Sequence, residues 1–169
     1  RKITSLANNL DSQNINRDEL NSFVCNIFNP SAEDQQVVKD TVTLNGPYRV
    51  VREAASMSIT EREEQDFCST LENSLQPLFE VTGQRVLANI VPQLDGSWSQ
   101  PWRFFTVLFE GESWEPSTEL ISDMMAEATR TSVSRLVMRL PKGGLIVGIL
   151  NRRRLWSKSR ARLCAMHIA

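Results

Sequence analysis

The hydrophobic positions of this chain change period near residue 84. Before it, apolar residues recur three and four apart, the spacing of one helix face. After it, they mostly alternate, the spacing of strands. Residues 1–15 are polar and without a period, and read as a mobile lead-in. Asn16 followed by Glu19 matches a capping box, and Leu20, Phe23, Val24 and Ile27 follow at helical spacing up to Pro30. Ser31 and Asp34 offer a second helix start. Val38 with Val42, and Val37 with Leu44, then carry a helical stripe toward Asn45-Gly46. Val42 and Leu44 also alternate with Thr41 and Thr43, as in a strand. The segment 47–58 fits both patterns in the same way, with Tyr48, Val50 and Val51 opening either a strand or a helix.

Thr60 and Glu63 form the clearest capping box. Glu61, Glu63 and Glu64 fall in the first turn, where the helix dipole favours negative charge. Phe67, Leu71, Leu75 and Leu78 give the apolar stripe. Pro77 is expected to kink or restart the helix, and Gly83 to end it.

Past Gly83, residues 85–91 are rich in strand formers and Asp95-Gly96 signals a turn. Residues 102–109 are apolar on both alternating faces, as expected of a central strand covered on both sides. Ser117 caps a helix through about Thr129, with Leu120, Ile121, Met124 and Met125 inward and the methionines as core fillers. A second hairpin follows around Lys142-Gly143-Gly144. A loop of even length places Leu136, Met138, Leu140, Leu145, Val147 and Ile149 on one apolar face. The opposite face then carries Arg135, Arg139 and Gly148, where the missing side chain suits close approach. Ser157 caps a last helix from Lys158 past Ile168.

The pattern predicts an α+β fold: a helical segment at 16–83, then ββαββα at 84–169 with a mainly antiparallel four-stranded sheet, together one compact domain. Composition agrees. With 41% apolar and 23% charged residues, the 169-residue chain is neither disordered nor too small for a core. The strongest apolar run, 143–150, is far too short to span a membrane, and no signal peptide is evident. The chain opens on Arg1 rather than Met, so the latter point excludes no upstream leader. Cys25, Cys68 and Cys164 are odd in number and widely spaced, which predicts buried thiols, no disulfide framework and a reducing, cytoplasmic setting.

Charge changes the picture. The last 39 residues hold nine Lys or Arg and no acid, so the net −1 hides a split of −10 against +9. Six cations fall between Arg152 and Arg162. If the strand continues past Leu150, Arg152, Arg154 and Trp156 share a face, and cations beside an exposed indole suit a phosphate backbone with a stacked base. Trp156 would stack or buttress the strand. Arg152, Arg153, Arg154, Lys158, Arg160 and Arg162 would hold phosphates, and Arg135 and Arg139 would extend the patch. The N-terminus of the last helix offers further N–H groups to an anion. Contact with about five phosphates gives a log–log salt slope of roughly −3.5 to −4.5.

No P-loop, GxGxxG, GxSxG or HExxH is present, and Gly143-Gly144 lacks the strand–turn–helix context of a nucleotide loop. His167 has no evident acid partner to make it a base. Asp95 and Glu110 sit at opposite ends of a hairpin whose strands span roughly 26 Å, and Glu110, Glu112 and Glu115 have no companion Lys at a diagnostic spacing. Neither metal nor cofactor is expected, and the reading leans away from an enzyme. The leading expectation is a binding module for nucleic acid. The alternatives are an assembly domain whose basic block docks on an acidic protein or on the acidic helices of a second copy, and part of an enzyme whose site is shared with sequence outside this chain.

Overall fold

The computed structural model describes residues 17–92, 101–114, 117–141 and 143–169, with side chains from Ser22 onward. The lead-in, the side chains of the Asn16–Glu19 box, the Asp95-Gly96 turn, Glu115 and Lys142 lie outside these. Four helices come first: α1 (Arg17–Phe28), α2 (Ala32–Leu44), α3 (Arg49–Ser56) and α4 (Glu61–Phe79). The chain divides into two compact units that part between Gln36 and Val37, within α2. In the first unit, Ser31 and Asp34 cap reciprocally: the Asp34 N–H donates to Ser31 Oγ at 3.1 Å and the Ser31 N–H to Asp34 Oδ2 at 3.3 Å. The sheet and the candidate site below belong to the second unit, Val37–Ala169.

The ambiguous residues 41–44 lie in α2, and the segment 47–58 is helical over Arg49–Ser56, as α3. Helix α4 starts on the expected box, with the Glu63 N–H donating to Thr60 Oγ1 and the Thr60 N–H to Glu63 Oε2 at 2.9 Å. It runs through Pro77 to Phe79. The proline sits in the last turn, where its missing N–H deprives only the Asn73 carbonyl of its helical donor. Phe67, Leu71 and Leu75 are buried as expected, but Leu78 is exposed. The inward row keeps a step of four, and Phe79 completes it by packing its ring 5.1 Å from that of Phe109.

Strands β1 (Val86–Ile90), β2 (Trp102–Phe109), β3 (Arg135–Arg139) and β4 (Leu145–Leu150) form one antiparallel sheet in the order β1-β2-β4-β3. Helix α5 (Thr118–Thr131) separates the hairpins and α6 (Lys158–Ile168) follows the second. The fold is therefore α+β with the expected ββαββα order. Strand β2 is central and buried on both faces. One face packs on α4 and α6 through Phe67, Leu71, Phe105, Val147, Trp156 and Cys164. The other packs on α5 through Phe104, Ile121, Met124, Ala128, Leu140 and Ile146.

The second hairpin is not in the expected register. Leu140 donates to the Gly144 carbonyl at 3.1 Å, so the loop has an odd length, and Gly143 and Gly144 adopt φ of 106° and 78° that a side chain would resist. Odd positions now face odd ones: Arg135 opposes Ile149, Val137 opposes Val147 and Arg139 opposes Leu145. A slip of one residue moves every side chain to the other face. Leu136, Met138 and Leu140 join Ile146 on the α5 side, while Arg135 and Arg139 share the α6 side with Val147 and Ile149. Gly148 falls on the α5 side, and what approaches it is the chain's own Phe104 ring. A Cβ there would lie 2.6 Å from Phe104 Cε1.

Candidate nucleic-acid interface

Strand β4 does not continue past Leu150. Asn151 to Trp156 are stitched instead to the loop that enters α4. The Arg153 N–H donates to the Met57 carbonyl at 3.0 Å, and Asn151 Oδ1 accepts from the Ile59 N–H at 3.0 Å. Residues Arg153–Leu155 make a 3-10 turn. The common strand face expected for Arg152, Arg154 and Trp156 therefore does not form.

Trp156 is 3% exposed, which removes it as a stacking platform. Its ring lies 4.8 Å from Phe67 and 5.9 Å from Phe105, and its indole N–H donates to the Leu150 carbonyl at 3.1 Å. An indole buries a large apolar area once its single donor is satisfied, and this one is satisfied by the strand end it buttresses.

Part of the basic block is spent on the domain itself. Arg153 Nε donates to Glu63 Oε1 at 2.7 Å, Lys158 Nζ lies 3.7 Å from Asp66 Oδ2, and Arg152 donates to the Ser56 carbonyl at 2.6 Å. Partial burial pushes the Glu63 carboxyl up, but the Thr60 N–H, the Arg153 guanidinium and the Thr60 hydroxyl outweigh it and hold Glu63 below the ordinary carboxylate value. The α6 N-terminus is also taken. Ser157 caps it, and Asp40 Oδ2 accepts from the Ser159 N–H at 3.0 Å and the Ser159 hydroxyl at 2.6 Å. Arg162 is partly buried on α6.

Four arginines remain. Arg139, Arg154 and Arg160 are exposed and form no ion pair among the described residues. Arg135, half-buried, places Nη1 3.3 Å from His167 Nδ1. That contact joins two residues that sequence pattern left apart. The corrected register alone would have pointed Arg135 toward α6. Arg135, Arg160, His167 and Cys164 line a groove of about 520 Å³ beside β3, β4 and α6.

The other chemical candidates resolve into structure. Glu110 lies 3.9 Å from Arg85, and Glu112 Oε2 accepts from the Phe109 N–H at 3.2 Å, which closes the turn after β2. No cluster of metal-ligating side chains occurs among the described residues. Burial pushes the Cys68 thiol up to about 12, with Glu72 and Glu64 adding to it, and raises the Cys164 thiol against the pull of Arg135. Both are protonated at neutral pH and neither is a poised nucleophile. All three cysteines are free. No described helix is long and apolar enough to cross a membrane. No protein family, curated protein or solved structure matches this chain.

Proposed function

We propose that this chain is a non-enzymatic module that binds the phosphates of nucleic acid, through fewer cations than the basic block contains. The observation that carries the proposal is the set of four arginines, 135, 139, 154 and 160, that have no carboxylate partner among the described residues, while Arg153 and Lys158 pair with acids of α4. An unpaired cation at the surface keeps its full attraction for a polyanion, whereas Arg153 and Lys158 would have to leave a carboxylate to provide theirs. Trp156 has no part in this reading except to hold the turn that displays Arg154. The three free cysteines support a reducing compartment, the cytoplasm.

Anisotropy titrations with labelled single- and double-stranded DNA and RNA test the proposal. Four phosphate contacts give a log–log salt slope of about −2.8 for a single strand and −3.6 for a duplex. Arg139→Gln, Arg154→Gln and Arg160→Gln combined should flatten the slope by about two to three and weaken every sequence alike. Absence of binding to all four polymers at low salt refutes the proposal. An acidic protein partner would use the same arginines, and would then appear as a salt-sensitive complex that nucleic acid does not displace.

A further inference from the structure

The groove beside α6 is more selective than a set of surface cations. Its volume, about 520 Å³, is that of a small-ligand site and not of a track for a strand. It combines Arg135 and Arg160 with the hydroxyls of Ser132 and Ser134, and no carboxylate lines it among the described residues. An arginine offers only donors, so its 3.3 Å contact makes His167 Nδ1 the acceptor and leaves the ring proton on Nε2 as a further donor. Val133, Leu155 and Leu163 supply apolar wall beside these groups.

We propose that this groove binds a terminal phosphomonoester, the phosphorylated end of a nucleic-acid strand, with the end nucleoside against the apolar wall. A monoester carries roughly −1.5 to −2 charges and three acceptor oxygens at neutral pH. Two guanidinium groups, two hydroxyls and an imidazole N–H match that charge and that demand for donors. An internal phosphodiester has one charge, and its chain must leave in two directions. The proposal rests on the nucleic-acid reading for the remainder of the strand, but not for the phosphate itself.

The test uses the single histidine of the chain, whose ring protons give one resolvable set of NMR signals. Adenosine 5′-monophosphate should shift them saturably, and adenosine should not. Oligonucleotides with a phosphate at one end should bind about tenfold tighter than those ending in hydroxyls, the effect of one charge-assisted contact. Arg160→Gln should abolish both effects, and Arg49→Gln, on α3 and outside the groove, should preserve them. Unmoved histidine signals together with equal affinity for every strand end overturn the proposal and leave the nucleic-acid reading intact. If no strand binds, yet the monophosphate still moves His167 in an Arg160-dependent way, the nucleic-acid reading falls and the phosphomonoester groove stands.

Discussion

Arg103 and Glu64 make the one ion pair in the described residues with both side chains largely out of water, 12% and 10% exposed. Arg103 Nε and Nη2 both lie 2.5 Å from Glu64 Oε1. The pair ties the first turn of α4 to the start of β2. Arg103→Met should be strongly destabilising, because it leaves a carboxylate in poor solvation with no cation beside it. Breaking a buried pair costs about 3–5 kcal/mol. Here the residual exposure and the α4 dipole, which favours a first-turn acid by about 0.3–1 kcal/mol, place the loss near ~3 kcal/mol. For a unit of this size that is a fall in Tm of about 10 °C.

The double variant Arg103→Met, Glu64→Leu separates the penalty of a stranded charge from the worth of the pair. Apolar replacements of similar volume are often neutral or better, so the double variant should recover most of the loss. Urea denaturation followed by far-UV circular dichroism gives both quantities, provided the m-value stays constant. A loss below about 1 kcal/mol for Arg103→Met, or a double variant no more stable than the single, would refute the reasoning.

Other expectations can be checked by the same assay. Gly148→Ala drives a Cβ into the buried Phe104 ring and should cost about 1–3 kcal/mol, with Phe104→Leu restoring part of it. Glu63→Gln loses charge at the cap and at Arg153, for about 1–2 kcal/mol at pH 7. Since the folded state holds the Glu63 carboxyl below its ordinary 4.5, its contribution is present above that pH and fades as pH falls through the folded value, so the Gln variant should show a flatter acid limb. Trp156→Phe removes the donor to the Leu150 carbonyl and some core volume. It should lower stability by about 1–3 kcal/mol and leave nucleic-acid affinity unchanged, whereas a surface indole would lose affinity.

Much of this fold can be read from the chain because its local signals agree with its burial. The Thr60–Glu63 box, the Phe67–Leu75 stripe, the two-sided apolar run of β2 and the caps at Ser117 and Ser157 each report one environment. Legibility fails where a segment has no contrast. Strand β4 is buried on both faces from Ile146 to Ile149, so either parity looks like an inward face and the register rests on loop length alone. The loop is of odd length, and its two positive-φ glycines suit two- and three-residue turns equally. The end of β4 fails for another reason. Its path is set by partners some ninety residues away, Met57 and Ile59, which no local pattern contains.

The same distinction governs the charge. Four of the twenty acids of the first 130 residues, Glu61, Glu63, Glu64 and Asp66, gather at the start of α4 for a local reason, since a helix N-terminus attracts them. The basic block follows β4, which ends beside that helix start, so the nearest cations find the acids first. Arg153 pairs with Glu63 and Lys158 with Asp66, so what looks in sequence like a continuous positive stretch is divided into cations paired on α4 and cations that are not. Among the described residues, Arg135 and Arg139 on β3, Arg154 at the 3-10 turn and Arg160 on α6 have no such carboxylate partner. Counting charge along the chain overstates the patch, and the register that brought Arg135 to His167 concentrates what remains. A groove with two arginines and, among the described residues, no carboxylate is therefore a stronger basis for anion recognition than the longer run of basic residues.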